Sequence, residues 1–321
     1  MACPTEVSKV QNELNWREQV KRVAADNLSG ASEVARLCAE ALIAYTEQEQ
    51  PESIEAVRSA LAQSAATILH TQASMAPVVR ILNDAMVAVS EASAVRSALD
   101  QLRRVAHESI ALVEQASFLV MEAALSLLSP GSSVVTISYS AAVANTLIQA
   151  TQQGYDLEVM CLESRPNFEG RALASHLGEH GVRVSLAVDA AVFQALQEAD
   201  IALIGADSLA EAGVINKIGT AAMAACGQVL SVPLYVIADQ SKIWPAELGI
   251  PPNPLHPPDE VWEQPSAGVN VRNRYFDLTP WEMITAVVTE RGVQDGMEIV
   301  EASRLIRVDE SIRAFLKRPA R

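Results

Sequence analysis

Four short segments carry residues whose types and spacing could do chemistry. Gly205-Ala206-Asp207-Ser208 follows the apolar run Asp200–Gly205, and an aspartate where a strand ends suits a functional acid. Next comes Gly213-Val214-Ile215-Asn216-Lys217-Ile218-Gly219-Thr220, with Asn216 and Lys217 where a helix is expected to begin. Free backbone N–H groups and a lysine at a helix N-terminus attract anions. The structural alternative is Asn216 as a helix cap, Lys217 solvated and Asp207 in a turn. In Glu163-Ser164-Arg165-Pro166, Arg165 could clamp a phosphate with two parallel hydrogen bonds, or form a surface ion pair with Glu163. In Ser138-Tyr139-Ser140, Ser138 could face the same crevice; the alternative is a cap, since Ser140 precedes an alanine-rich helix.

Other patterns point away from familiar chemistry. His176-Leu177-Gly178-Glu179-His180 fits H-x-x-E-H, a zinc-protease pattern, and histidines four apart share a helix face. Gly178 weakens that helix, Gly181 ends it, and no third ligand is evident, so no metal is expected. Cys3, Cys38, Cys161 and Cys226 are far apart, without a CxxC pair, and read as buried free thiols in a reducing compartment. The chain has no GxGxxG and no Walker A loop, so a standard dinucleotide or P-loop site is not supported.

The elements that must position these residues follow from periodicity. The chain has 321 residues, of which 50% are hydrophobic and 20% charged, enough for a large core and two domains. Residues 1–128 read as a helical domain. Val34, Leu37, Cys38, Ala41 and Leu42 recur at helical spacing, behind the capping residues Asn27-Leu28-Ser29-Gly30. Alanine-rich helices follow over 53–70, 76–94 and 96–127, and Pro130-Gly131-Ser132 breaks the pattern. Residues 129–321 then alternate. Strands are expected at Ser133–Ser138, Glu158–Leu162, Arg183–Val188, Asp200–Gly205 and Pro233–Ala238. Helices are expected between them, including one over Lys217–Ala225. That alternation implies an α/β fold with a parallel sheet covered on both faces, which binds ligands beyond its C-terminal strand ends. Residues 250–274 read as a Pro-rich loop, and Phe276–Val288 as a turn followed by an amphipathic helix. That helix and the loop, with Trp244 and Trp262 nearby, are candidate apolar interface surface.

A net charge of −15 disfavours direct binding to nucleic acid. The polar N-terminus has no signal-peptide pattern, and Glu114, Gln115 and Glu122 interrupt the apolar run Ile110–Leu128. A membrane span is therefore not expected, and the reading is a cytoplasmic protein.

Taken in order, these segments resemble the family of the translation initiation factor 2B alpha, beta and delta subunits. That family includes methylthioribose-1-phosphate isomerase and ribose-1,5-bisphosphate isomerase. The resemblance rests on Gly205-Ala206-Asp207 with Gly213–Thr220, then Ala238-Asp-Gln-Ser-Lys242. It also rests on Phe276-Asp-Leu-Thr-Pro280 with Thr289-Glu290-Arg291-Gly292. Asp26–Glu33 and Ser74-Met-Ala-Pro77 carry it into the N-terminal part. It implies an N-terminal helical domain followed by a Rossmann-like parallel-sheet domain of the ribose-phosphate isomerase type. It also implies a homodimer or larger assembly, and a small phosphorylated ligand bound without cofactor. The ligand would be held by Asn216, Lys217 and Arg165, with Gly30 and Ala31 contributing from the helical domain, and Asp207 would be the catalytic acid. The family's isomerases read Thr-His-Cys after the first strand, whereas Thr136-Ile137-Ser138-Tyr139-Ser140 stands here, with Ser138 at the cysteine position. A hydroxyl is far harder to deprotonate than a thiol, which titrates near about 8.5. The expectation is thus a factor-2B-related binder of a sugar phosphate or nucleoside monophosphate. The alternative is an aldose–ketose isomerase that uses Asp207.

Overall fold

The structure, a computed structural model, describes residues 14–26 and 29–317; Cys3, Asn27 and Leu28 lie outside the described residues. The chain divides into two compact units, one running to Val113 and taking in the C-terminal segment from Arg307, the other Glu114–Ile306.

The first unit is helical. It holds α1 (Trp16–Ala25), α2 (Ala31–Gln48), α3 (Ile54–Gln72), α4 (Ala76–Ser90) and the start of α5 (Val95–Leu125). Local chemistry sets the helix starts. Asn15 and Glu18 form a reciprocal capping box on α1, Ser53 Oγ caps α3, and Pro77 stands in the first turn of α4, where its missing N–H costs nothing. Val34, Leu37, Cys38, Ala41 and Leu42 are all buried, as the helical spacing requires. The C-terminal helix Glu310–Leu316 belongs to this unit. Asn83, fully buried on α4, donates to Arg307 O at 2.9 Å and accepts from Asp309 N at 2.8 Å, which ties that segment down.

The second unit alternates strand and helix: β1 (Ser133–Ile137), α6 (Ala141–Gln152), β2 (Glu158–Leu162), α7 (Glu169–Glu179), β3 (Arg183–Ala187), α8 (Val192–Gln197) and β4 (Ile201–Ile204). A hairpin follows, β5 (Ser208–Ala210) and β6 (Gly213–Lys217), then α9 (Thr220–Leu230) and β7 (Leu234–Ile237). The chain closes this unit with β8 (Phe276–Thr279), β9 (Ala286–Thr289), β10 (Gly292–Gln294) and α10 (Gly296–Arg304); Glu310–Leu316 is α11. The main sheet runs β10-β9-β7-β4-β1-β2-β3, parallel except for β10. Apolar clusters line both faces, around Val134, Val159 and Leu203 on one and Val135, Ala202 and Val236 on the other. The strand order reverses between β1 and β4, so the crevice expected of such a sheet opens beyond Ile137 and Ile204. No helix among the described residues is long and apolar enough to cross a membrane.

Two expectations are corrected. No helix begins at Asn216 or Lys217. Both lie on β6, whose residues are buried throughout, and α9 starts at Thr220 because Gly219 takes φ +106, a left-handed conformation outside any helix. Phe276–Val288 is not the expected amphipathic helix: it is two strands joined through one short 3-10 turn at Trp281–Met283. Pro280 has no N–H to give, and Ala286-Val287-Val288, within a β-branched run, pairs in parallel with β7. The apolar interface surface imagined there is therefore not a helix. Of the two nearby tryptophans, Trp244 is fully buried and Trp262 is exposed.

Candidate functional site

Strand pairing gathers the charged residues. Asp207 precedes β5, and its N–H donates to Ile215 O at 2.9 Å, which sets it across the hairpin from Asn216 and Lys217. A parallel bridge between Leu209 and Ile243, with Trp244 N donating to Leu209 O at 2.9 Å, carries Lys242 alongside the same strand. Both lysines are buried. Burial pushes the Asp207 carboxyl up to about 6, against the pull of Lys242 and Lys217, and Glu169 adds to the rise. Among the described residues no group donates to that carboxylate. An acid held near 6 can both donate and accept a proton at neutral pH.

Lys217 is not solvated. Its Nζ donates to Glu169 Oε1 at 2.8 Å, with 3% of the lysine side chain and 18% of the glutamate exposed. Glu169 Oε2 is buried without a hydrogen-bond partner among the described residues, an acceptor in the same charge cluster as Asp207. Asn216 is no helix cap; its Nδ2 donates to Thr220 Oγ1 at 3.0 Å. The N-terminus of α9 is already occupied, because Asp277 accepts from Gly219 N at 2.7 Å and Ala221 N at 3.3 Å. An anion there must be met by lysine side chains rather than by these two backbone N–H groups.

Ser138 and Arg165 are linked at the ends of β1 and β2. Ser138 N donates to Ser164 Oγ at 2.7 Å, and the N–H groups of Ser164 and Arg165 donate to the Asp189 carboxylate at 2.7 and 2.8 Å. Ser138, Ser164 and Phe168 all hold positive φ, three of the four non-glycine residues that do so among those described, and such strain gathers where a site over-determines the backbone. The exposed Arg165 guanidinium donates to Val261 O at 2.8 Å and lies 4.9 Å from the Phe168 ring; Glu163 pairs instead with Arg171 at 2.7 Å. Ser140 does cap α6, accepting from Val143 N at 3.4 Å. Gly205 has to be glycine, since a Cβ there would stand 2.6 Å from Ser140 Oγ.

Cys161 does not replace the missing thiol. It is fully buried among the apolar residues under α6 and α7, and burial pushes its thiol up to about 12. Gly30 and Ala31 belong to the first unit: Gly30 is the extended N-cap of α2, with no side-chain cap, and Ala31 is buried. His176 and His180 lie tilted against each other at the end of α7, with ring centroids 4.5 Å apart. Among the described residues, no three His, Cys, Asp or Glu side chains are grouped to hold a metal ion. Glu169, Lys242 and Asp277 were missed as site residues. Lys242 and Asp277 stand inside the quoted segments Ala238–Lys242 and Phe276–Pro280, but only the fold shows where they are aimed.

Comparison with known proteins bears on the family and the fold. The chain is 30% identical over 280 residues to ribose 1,5-bisphosphate isomerase of Archaeoglobus fulgidus, covering 86% of this chain and 88% of that one. It is 31% identical over 276 residues to a putative translation initiation factor eIF-2B subunit 2-like protein of Pyrococcus furiosus, covering 84% and 92%. The solved structure of the Pyrococcus horikoshii OT3 translation initiation factor eIF-2B superposes with a TM-score of 0.77 at 25% identity, covering 87% of this chain and 96% of that one. The pattern of the Initiation factor 2 subunit family matches residues 27–296, most of the length, and the chain belongs to that family.

Proposed function

We propose that this chain binds a small phosphorylated ligand, a sugar phosphate or a nucleoside monophosphate, at the C-terminal strand ends of its α/β unit. It does so without the cysteine-dependent isomerase step. The observation that carries the reading is the set of two buried lysines, Lys217 and Lys242, around an Asp207 carboxyl that has no donor among the described residues. Buried ammonium groups meet a phosphate dianion with little competition from water. Asp207, held near 6, is protonated in part at neutral pH and can give a hydrogen bond to a phosphate or hydroxyl oxygen. Glu169 Oε2, a bare acceptor, suits a ligand hydroxyl. Asn216 and Arg165 complete the set from the hairpin and the end of β2. Gly30 and Ala31 are proposed contributors from the helical unit on the family resemblance alone.

The missing step is a proton transfer by a thiolate. Ser138 holds the cysteine position, and Cys161 is shut into the core. The second reading, an aldose–ketose isomerase, is favoured by Asp207 itself, since an acid near 6 is suited to general acid–base work. A homodimer or larger assembly is part of the proposal, and light scattering showing a stable monomer would count against it.

The deciding experiment is a thermal-shift panel of pentose phosphates and nucleoside monophosphates, followed by an isomerase assay on each compound that raises the melting temperature. Binding without turnover is the expected result. Binding with turnover moves the chain to the second reading, and no shift at millimolar ligand removes the phosphate site altogether.

A further inference from the structure

We infer that Asp277 is a positioning residue for ligand binding: its carboxylate holds the turn that aims Asn216 and Lys217 at the crevice. The inference rests on the functional reading above and adds a residue to it.

The argument is geometric. β8 lies antiparallel to β6 with Asp277 opposite Asn216 and Phe276 opposite Lys217. Beyond the strand, Ile218 N donates to Tyr275 O at 2.7 Å. The chain then turns at Gly219 in the left-handed region, and the Asp277 carboxylate accepts from Gly219 N at 2.7 Å and from Ala221 N at 3.3 Å. Thr220 Oγ1 donates to Lys217 O at 2.6 Å, so the residues on both sides of the turn are tied to one another. A Cβ on Gly219 would stand 3.0 Å from Ile137 Cδ1, so the turn packs against the last residue of β1, directly before Ser138. Lys217 therefore has its backbone fixed from β8 and its ammonium fixed by Glu169.

This arrangement makes a prediction with a sign. A negative carboxylate close to an anion site opposes anion binding by simple electrostatics. If Asp277 did nothing else, removing it would tighten the binding of a phosphate. If it positions Lys217, removing it weakens binding. The test is calorimetric titration of the full chain with ribose 5-phosphate and with AMP, for wild type, Asp277→Ala and Asp277→Asn. Asp277→Ala is expected to bind about tenfold more weakly, comparable to the loss of a helix cap, ~1.4 kcal/mol. Asp277→Asn keeps one acceptor for Gly219 N–H and is expected to fall between Asp277→Ala and wild type. Hydrogen exchange is expected to speed up in peptides covering 216–224 and not in those covering β1.

Wild-type or tighter affinity in Asp277→Ala overturns the role, as does unchanged exchange over 216–224. Should Asp277→Ala fail to fold, Asp277→Asn decides alone: weaker binding supports the role and equal or tighter binding overturns it. A wild-type chain that binds neither compound overturns the functional reading and the role together, whereas binding with unaffected variants overturns the role only.

Discussion

Lys217 donates to Glu169 Oε1 over 2.8 Å, and the pair is almost wholly out of water while the second glutamate oxygen has no partner. A buried pair of this kind contributes little net stability, but losing one member strands the other's charge. Lys217→Met is therefore expected to cost about 3 kcal/mol in urea denaturation, because it strands the Glu169 carboxylate and takes one of two ammonium groups away from Asp207. Glu169→Gln in the same chain should recover a large part of that loss. Additive costs in the double variant would show that the two side chains do not act as a pair.

Asp207 is expected to be a site of stored instability. Its carboxyl is pushed by burial from 3.8 to about 6, so between those values the folded chain holds a proton that the unfolded chain has released. Stability from this group is thus full below about pH 4 and falls as pH rises through 6, by at most about 3 kcal/mol. Asp207→Asn should melt higher than wild type at pH 8, and the gap should close as pH falls toward 4. Asp277, also pushed up to about 6 by burial, adds a second contribution in the same window that this variant leaves in place. An Asp207→Asn protein no more stable than wild type at pH 8 would mean that the carboxylate is better solvated than its surroundings indicate.

Asn83 offers a prediction in the helical unit. Two of its hydrogen bonds satisfy Arg307 O and Asp309 N at the entry to α11. Asn83→Leu has similar bulk but leaves both backbone groups without their partner, at about 2–4 kcal/mol. Limited proteolysis should then cut near residue 307 well before any site in the main sheet. Cleavage unchanged from wild type would mean that other contacts hold the segment.

Much of this fold is legible in the chain. The helical periodicity of 31–45 and the apolar runs at β1, β2, β4 and β7 have one physical solution each, since each run must be buried. The turn from β6 into α9 was harder. Asn216-Lys217 shortly before Gly219-Thr220-Ala221-Ala222 reads as the start of a helix, and both residues lie on a strand instead. The decision comes from β8, whose 59-residue separation from Lys217 at Phe276 leaves no local trace. The same long-range pairing hides Asp277, which looks like one more loop acid until it is seen at the N-terminus of α9. Lys242 reaches Asp207 through a single bridge at Ile243, a contact that no periodicity announces. Asp207 is the opposite case: an acid shortly after a buried strand, in a sheet whose order reverses there, is a candidate that the sequence itself puts forward.

The last prediction concerns the residue at the end of β1. Ser138 holds a positive φ of 67° and its N–H is fixed by Ser164 Oγ, so its backbone is set regardless of the side chain. A thiol differs from a hydroxyl by one atom, and Ser138→Cys is expected to fold with a melting temperature within a few degrees of wild type. If the site holds a sugar phosphate as proposed, that variant supplies the group whose absence separates binding from proton transfer. Aldose–ketose interconversion should then appear in Ser138→Cys, on a ligand that the wild type binds without turnover, and Asp207→Asn should abolish it. Iodoacetamide should block the gained activity, while Cys161, shut in the core, stays unreactive in the folded chain. A Ser138→Cys protein that binds ligand and is alkylated, yet converts nothing, would place the loss of chemistry elsewhere than in the missing sulfur.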